Sequence, residues 1–201
     1  WAPQGPTLSA CDLHRVYVLS IETRAKVAGR STSILHLRPR DGLRLGYRLA
    51  IDDISGLILR SESLGGDGRL LERHEYASVS ITPNDAVEVT QFSQADEQAE
   101  VTLMQDLELV GLPLGYRGRL ARGSEQRALF VSDGIASATV VFEPLPNGLS
   151  PGEGAARRGA TLTYSRGSIV GGAGVLVTVI GEVPLPAARL IADAVKVVPR
   201  R

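Results

Sequence analysis

The sequence predicts a mainly β protein of the α+β class, built from two antiparallel β-rich units and a C-terminal helix. Three observations support this prediction: short β-prone runs alternate with Gly- and Asp-rich turns, the β pattern stops in mid-chain, and an Ala-rich segment follows the last run. The 201 residues are 43% hydrophobic and 22% charged, which is ordinary for folded domains and excludes disorder of the whole chain.

The first unit is predicted over residues 1–81 as an antiparallel meander. Its candidate strands are, in order, 17–26, 31–37, 43–51, 57–63 and 70–81. The third and fourth runs are joined by 52–56, and the fourth and fifth by 65–68, both with residues that suit hairpin turns. Because such a sheet can curl around an apolar ligand, a lipid or lipoprotein carrier is one function that this unit allows.

An acidic linker is predicted over 82–111. No Lys or Arg occurs between Arg73 and Arg117, whereas eight Asp and Glu residues lie there, from Glu75 to Glu108. The β pattern also weakens, which indicates a connection rather than a third unit.

The second unit is predicted over 112–201. Its candidate strands are 116–121, 127–131, 136–142, 160–164 and 175–180. Three prolines and several glycines over 144–159 predict a mobile surface loop. Pro184 and Pro186 mark a helix start, and the helix is expected to end at Lys196. Its predicted apolar face consists of Ala187, Leu190, Ile191, Ala194 and Val195.

Charge and composition argue against nucleic acid and membranes as partners. Twenty-two basic and 22 acidic residues give a net charge of zero, so no general attraction to nucleic acid or anionic membrane is expected. Aromatic residues make up only 4% of the chain, too few for a single-strand stacking platform. The uncharged stretch over 168–181 is shorter than the roughly 20 residues of a membrane-spanning helix, so none is predicted.

Catalytic, metal and cofactor sites are not predicted. Ser132 lies in a Ser-Asp-Gly triplet where a sharp turn could expose a nucleophile, but all three histidines belong to the first unit. A hairpin turn explains the same triplet, and a serine hydrolase stays open as an alternative. Cys11 and His14 form an isolated pair, which no second cluster completes to a tetrahedral metal site.

Several segments, taken in order, resemble the MucB/RseB family of periplasmic regulators of the envelope-stress sigma factor. In the first unit they are Val-Ala-Gly-Arg at 27–30, Pro-Arg-Asp at 39–41, Leu-Gly-Tyr-Arg-Leu at 45–49, Gly-Leu-Ile-Leu-Arg-Ser at 56–61 and Gly-Arg-Leu-Leu-Glu-Arg at 68–73. In the second they are Leu-Pro-Leu-Gly-Tyr at 112–116, Val-Ser-Asp-Gly-Ile-Ala at 131–136, Val-Phe-Glu-Pro at 141–144 and Val-Thr-Val-Ile-Gly-Glu-Val-Pro at 177–184.

The resemblance implies a fold and a function. The fold would be a partial, lipoprotein-carrier-like antiparallel half-barrel followed by a small β-rich C-terminal domain with a terminal helix. The function would be non-enzymatic: such a protein works in the periplasm, binds the periplasmic part of a membrane anti-sigma factor and shields it from proteolysis. Lipopolysaccharide or a lipid-like ligand would release it. The first half of the family's N-terminal domain would be missing from this chain.

Five residues are predicted to contact the partner, in the cleft between the units or at a sheet edge. They are Tyr47, Arg48, Arg60, Tyr116 and Arg117. The sequence does not distinguish a monomer from a homo-oligomer. Because the chain begins at Trp1 without a signal peptide, a processed or truncated product is expected.

Overall fold

Two open antiparallel sheets and a separate two-stranded pair make up the β structure of the described residues. The computed structural model describes residues 10–81, 107–120, 128–146, 148–170 and 173–197. Most of the predicted linker, 82–106, lies outside the described residues. The predicted mainly β fold with a C-terminal helix is confirmed.

The first sheet is a five-stranded meander with the order β1-β2-β3-β4-β5, every neighbouring pair antiparallel. A short helix that the sequence did not predict, α1 (Ala10–Val16), precedes it. The strands are β1 (Tyr17–Val27), β2 (Arg30–Pro39), β3 (Gly46–Asp52), β4 (Ile58–Leu64) and β5 (Leu70–Glu75). Two expected boundaries were wrong, since β3 begins at Gly46 rather than 43, and β5 ends at Glu75 rather than 81.

The turns of the first sheet form where Asp and Gly predicted them. In the β3–β4 turn, Asp52 Oδ2 accepts hydrogen bonds from the Ser55 amide at 2.9 Å and the Ser55 hydroxyl at 2.7 Å. Arg30 donates twice to the same carboxylate, at 2.7 and 2.8 Å. The Arg30 bonds, followed by those from Ser55, hold the pKa of Asp52 well below its usual range. Gly56 and Gly68 adopt the positive φ values that these turns need, +73° and +77°.

The second sheet has six strands in the order β10-β11-β12-β9-β8-β7. Its strands are β7 (Arg117–Leu120), β8 (Ala128–Ser132), β9 (Ser137–Pro144), β10 (Gly152–Arg158), β11 (Thr161–Val170) and β12 (Ala173–Gly181). A separate pair joins β6 (Leu107–Leu109), inside the predicted linker, to β13 (Val195–Val197). The prediction of a mobile loop over 144–159 was wrong, because β10 forms in its second half.

Helix α2 (Leu185–Ala194) covers one face of the second sheet and contacts β11 and β12. Its buried residues are mostly alanines, which allow the helix to approach the strands closely: Ala187, Ala188, Ile191, Ala192 and Ala194. The helix stops at Ala194, two residues earlier than predicted, because Val195 begins β13. Leu190, predicted on the buried face, is 43% exposed.

Candidate functional site

The two sheets meet in a shared hydrophobic core, here called the joint. The first sheet and α1 contribute most of its buried residues, and the second sheet contributes two alanines from its turns. The residues are Val16, Tyr17, Leu37, Leu45, Tyr47, Ala136 and Ala160. Because the core belongs to both sheets, it fixes their relative position.

A buried ion pair crosses the joint. Arg44, in the loop before β3, places its Nε 2.9 Å from Asp133 Oδ2 in the β8–β9 turn, and both side chains are fully buried. Arg44 also contacts Asp41 Oδ2 at 2.5 Å and donates a hydrogen bond to the Leu114 carbonyl oxygen. Its guanidinium carbon lies 4.8 Å from the centre of the Tyr116 ring. Arg44 therefore ties three segments of the chain together.

The Asp133 carboxylate accepts hydrogen bonds from several groups besides its contact with Arg44. Its Oδ1 accepts the backbone N–H groups of Ile135 at 3.0 Å and Ala136 at 2.8 Å. Its Oδ2, besides contacting Arg44, accepts the Tyr17 hydroxyl at 3.3 Å. A buried carboxylate needs such compensation, so the turn is built around this charge.

Ser132, the candidate nucleophile, serves the same turn. Its hydroxyl donates to the Ala136 carbonyl at 2.8 Å and accepts the Gly134 amide at 3.0 Å, and the residue is only 4% exposed. The Ser132 side chain thus closes a hairpin turn, which explains the Ser-Asp-Gly triplet without a catalytic role.

Two of the five predicted contact residues, Tyr47 and Tyr116, are buried at or beside the joint, 4% and 6% exposed. The Tyr116 hydroxyl donates to the Leu43 carbonyl oxygen at 2.9 Å. Burial, and after it the charge of Asp133, raises the pKa of Tyr116 far above its ordinary value. Burial likewise raises the pKa of Tyr47, with Glu182 as the next cause. Both phenols are therefore neutral groups that shape the joint.

Arg48 and Arg60 lie on the opposite face of the first sheet from Tyr47, because consecutive strand residues point to opposite faces. Both contact Glu62, Arg48 Nε at 2.7 Å and Arg60 Nε at 3.7 Å, and Arg73 Nε lies 3.7 Å from the same carboxylate. These four side chains are called the arginine cluster. Arg117, the fifth predicted residue, opens β7 opposite Ser132.

A second polar contact links the sheets near β5. Glu72 Oε2 accepts the Ala160 amide at 2.9 Å, and the His74 Nε2 lies 3.0 Å from the other oxygen of Glu72. Glu182, at the end of β12, lies close to Glu72, His74 and Ser63. Burial, and next the charge of Glu72, raises the pKa of Glu182, while His74 and a hydrogen bond from Ser63 act in the other direction.

A groove of about 450 Å³ opens between the sheets beside this contact. One wall is Glu72 of β5, and the other comes from β10 and β11. The lining residues are Glu72, Ala156, Arg157, Arg158, Thr161 and Thr163. Arg157 is held in place by the carbonyl oxygens of Ala160, at 2.7 Å, and Val183, at 2.8 Å. The groove is open to solvent.

Sequence reasoning missed Arg44 and Asp133. The sequence predicted a strand around Arg44 and a tight turn around Asp133, and neither prediction indicated a buried charge. Within the described residues, no group of three or more His, Cys, Asp and Glu side chains is placed to hold a metal ion. The described helices are also too short or too polar to cross a membrane.

Two open antiparallel sheets, joined through a hydrophobic core that a buried ion pair crosses and flanking a groove, define a two-domain β protein. The chain belongs to the MucB/RseB family: residues 3–101 match the MucB/RseB N-terminal domain and residues 115–196 the MucB/RseB C-terminal domain. This confirms the family resemblance found in the sequence.

Named relatives agree with this assignment. The chain is 31% identical over 198 residues to the sigma factor AlgU regulatory protein MucB of Pseudomonas aeruginosa, covering 90% of this chain and 60% of that protein. It is 25% identical over 187 residues to the sigma-E factor regulatory protein RseB of Haemophilus influenzae, covering 85% and 56%. The chain thus spans less than two thirds of the curated relatives that it matches.

Solved structures give the same fold. The crystal structure of MucB in complex with MucA(peri) matches with a TM-score of 0.72 and 29% identity, over 96% of this chain and 71% of that one. The complex structure of Pseudomonas aeruginosa MucA/MucB matches with a TM-score of 0.74 and 28% identity, over 99% and 74%.

Proposed function

We propose that this protein is a periplasmic regulatory binding protein. It binds the periplasmic part of a membrane anti-sigma factor, protects it from proteolysis and so restrains the envelope-stress response. One observation carries the proposal: the chain matches both family domains in sequence, and it matches MucB chains solved in complex with MucA over 96% or more of its own length.

The mechanism that the geometry supports is occlusion. A protease requires an extended, accessible stretch of its substrate, and a segment held in the groove between the sheets is neither free nor exposed. The joint holds the two walls of this groove without any partner, because its hydrophobic core belongs to both sheets and the Arg44–Asp133 ion pair crosses it. A preformed groove reduces the ordering cost of binding.

The same features support binding rather than catalysis. Ser132 uses its hydroxyl within its own turn, and Glu72 and His74 are committed to the contact between the sheets. The predicted contacts at Tyr47, Arg48, Arg60, Tyr116 and Arg117 stay a prediction. Tyr47 and Tyr116 would act by shaping the joint, and the two arginines of β3 and β4 from the opposite face of the first sheet.

A lipid-binding role is the second candidate, and one observation favours it. The face of the first sheet that contains the joint continues outward as a row of aliphatic side chains. Leu19, Leu35 and Leu49 are only partly buried there, and Ile21 is 70% exposed. Exposed apolar surface of this kind suits an acyl chain. Release of the partner by lipopolysaccharide or another lipid-like ligand stays a prediction of the same kind.

A binding and protection assay tests the proposal. The purified chain is mixed with the periplasmic region of the cognate anti-sigma factor, and affinity is measured by calorimetry, followed by limited proteolysis of the mixture. We expect binding at micromolar concentration or tighter and slower cleavage of the anti-sigma region. No detectable binding by the folded chain contradicts the proposal, and acyl chains retained by the same preparation in mass spectrometry would favour the lipid carrier.

A further inference from the structure

Strand β10 is an open edge of the second sheet. It pairs with β11 without a bulge from Gly152 to Arg158, and all seven of its residues are exposed. No described residue forms a backbone hydrogen bond to its outer side. Such an edge presents a row of unpaired N–H and C=O groups, which is the chemistry that recognises another extended chain.

The other edges of the two large sheets are protected. A bulge between Glu22 and Ala25 interrupts β1. On β5, charged side chains predominate, and Glu72 is already bonded to the second sheet. The β7 edge is only four residues long. Bulges, charges and short length are the usual devices against strand addition. Strand β10 has no bulge and is longer than β7. Of its three charged residues, Arg157 is bonded to the carbonyl oxygens of Ala160 and Val183, and Glu153 to Tyr164 and Arg189, so only Arg158 is without such a contact among these bonds.

The turn after β10 shows which backbone groups point outward. Gly159 has a φ of +58° and Ala160 has no positive φ, as in a two-residue type II′ turn closed by Arg158 and Thr161. The closing pair of such a hairpin exchanges both of its hydrogen bonds, so the N–H of Arg158 points to β11. By alternation, the outward N–H groups belong to Glu153, Ala155 and Arg157.

Space for a further strand is available beside this edge. A Cβ atom added at Gly152 or Gly154 would meet no atom within 4 Å. Ala156 and Arg158, which point to the same face as these glycines, line the groove between the sheets. Small residues on this face leave room for the large side chains of an added strand.

We propose that β10 binds an extended segment of the anti-sigma factor's periplasmic region as a seventh strand of the second sheet. The bound segment runs along β10, with alternate side chains over Gly154 and Ala156 toward the groove. This inference rests on the proposed function and specifies how the partner is held: by main-chain hydrogen bonds to the N–H and C=O groups of Glu153, Ala155 and Arg157.

The substitution Ala155→Pro tests the proposal. Proline removes the outward N–H and places its ring on the open edge, while the hydrogen bonds to β11 are retained. We expect the affinity of the full chain for the anti-sigma region to fall at least about tenfold. The matched control Ala155→Val keeps the N–H, and its affinity should stay within about twofold of the parent chain.

The outcomes separate this inference from the proposed function. If the parent chain does not bind the anti-sigma region, the proposed function fails. If the parent chain binds and folded Ala155→Pro binds equally well, only the β10 inference is overturned. Hydrogen exchange on the parent chain covers the case of a variant that does not fold. The amides of Glu153, Ala155 and Arg157 should exchange more slowly in the complex, and unchanged exchange in a saturated complex overturns the inference.

Discussion

The joint and the arginine cluster use the same chemistry in opposite surroundings. In the joint, Arg44 and Asp133 have fully buried side chains and connect two sheets. In the arginine cluster, Glu62 is met by three arginines of a single sheet, whose side chains are 41%, 18% and 45% exposed. The cluster has more charges, but the Arg44 and Asp133 side chains are fully buried, so solvent cannot replace a lost partner there. Burial, rather than the number of ion pairs, decides which site the fold depends on.

The joint also combines its ion pair with local backbone structure. Asp133 closes its own turn through the amides of Ile135 and Ala136, so the position of its charge is set before the sheets meet. Arg44, in the loop before β3 of the first sheet, then supplies the opposite charge. An arrangement of this kind specifies one docking geometry. Around Glu62, whose side chain is itself only 8% exposed, Arg48 and Arg73 are open enough to exchange partners with water.

Replacing Arg44 gives the largest expected effect. Arg44→Met removes the only arginine that contacts Asp133 among the described residues and leaves a buried carboxylate with hydrogen bonds but no opposite charge. We expect the free energy of unfolding to fall by about 3–5 kcal/mol, measured by urea denaturation followed by circular dichroism. Binding of the anti-sigma region should weaken as well, because the groove walls lose their fixed separation.

Arg48→Met is the matched control, with the same change of side chain on a residue of the arginine cluster. Its expected cost is at most about 1 kcal/mol, since Arg48 is partly exposed and Glu62 keeps two other arginines nearby. Equal losses for the two variants would show that burial does not distinguish the two sites.

The difference between the regions also explains what the sequence could predict. The meander and its turns follow from local signals, as Asp52 and Gly56 show, because a turn needs only its own residues. Strand β10 was missed because its Gly, Ala and Arg residues have little β propensity, and pairing with β11 creates it.

The site was harder to predict than the fold. Arg44 and Asp133 are 89 positions apart, and neither segment contains a sequence signal that predicts their contact. Tyr47 and Arg48 were predicted together as contacts, yet as neighbours on one strand they point to opposite faces of the sheet. Strand alternation alone therefore predicts that these two side chains cannot contact the same surface of a partner.

Replacing Glu62 gives an intermediate effect. Glu62→Gln keeps the shape of the side chain and leaves Arg48, Arg60 and Arg73 close together without the carboxylate that they share. We expect a loss of about 1–2 kcal/mol in the free energy of unfolding, with the loss reduced when salt screens the arginines. Glu75→Gln removes a carboxylate that contacts Arg73 alone of the three arginines, so its loss in the free energy of unfolding should be smaller. A salt-independent loss would contradict this electrostatic account.

Replacing Glu182 gives the smallest effect, and it concerns the pH dependence of the second polar contact between the sheets, near β5. Burial and Glu72 raise its pKa in the folded protein, so the folded state holds the proton more tightly than the unfolded state. Stability contributed by the protonated form is therefore lost as the pH rises from the ordinary carboxyl range through the raised pKa. Glu182→Gln should remove this loss.

The variant should match the parent chain near pH 4 and exceed it at pH 7, by only a few tenths of a kcal/mol, because solvent partly screens the site. Thermal unfolding of both chains from pH 4 to 8 measures the difference. A parent chain that gains stability over the variant as the pH rises would show that ionised Glu182 is held by an attractive contact. Repulsion between Glu72 and Glu182 would then not control the stability of this contact.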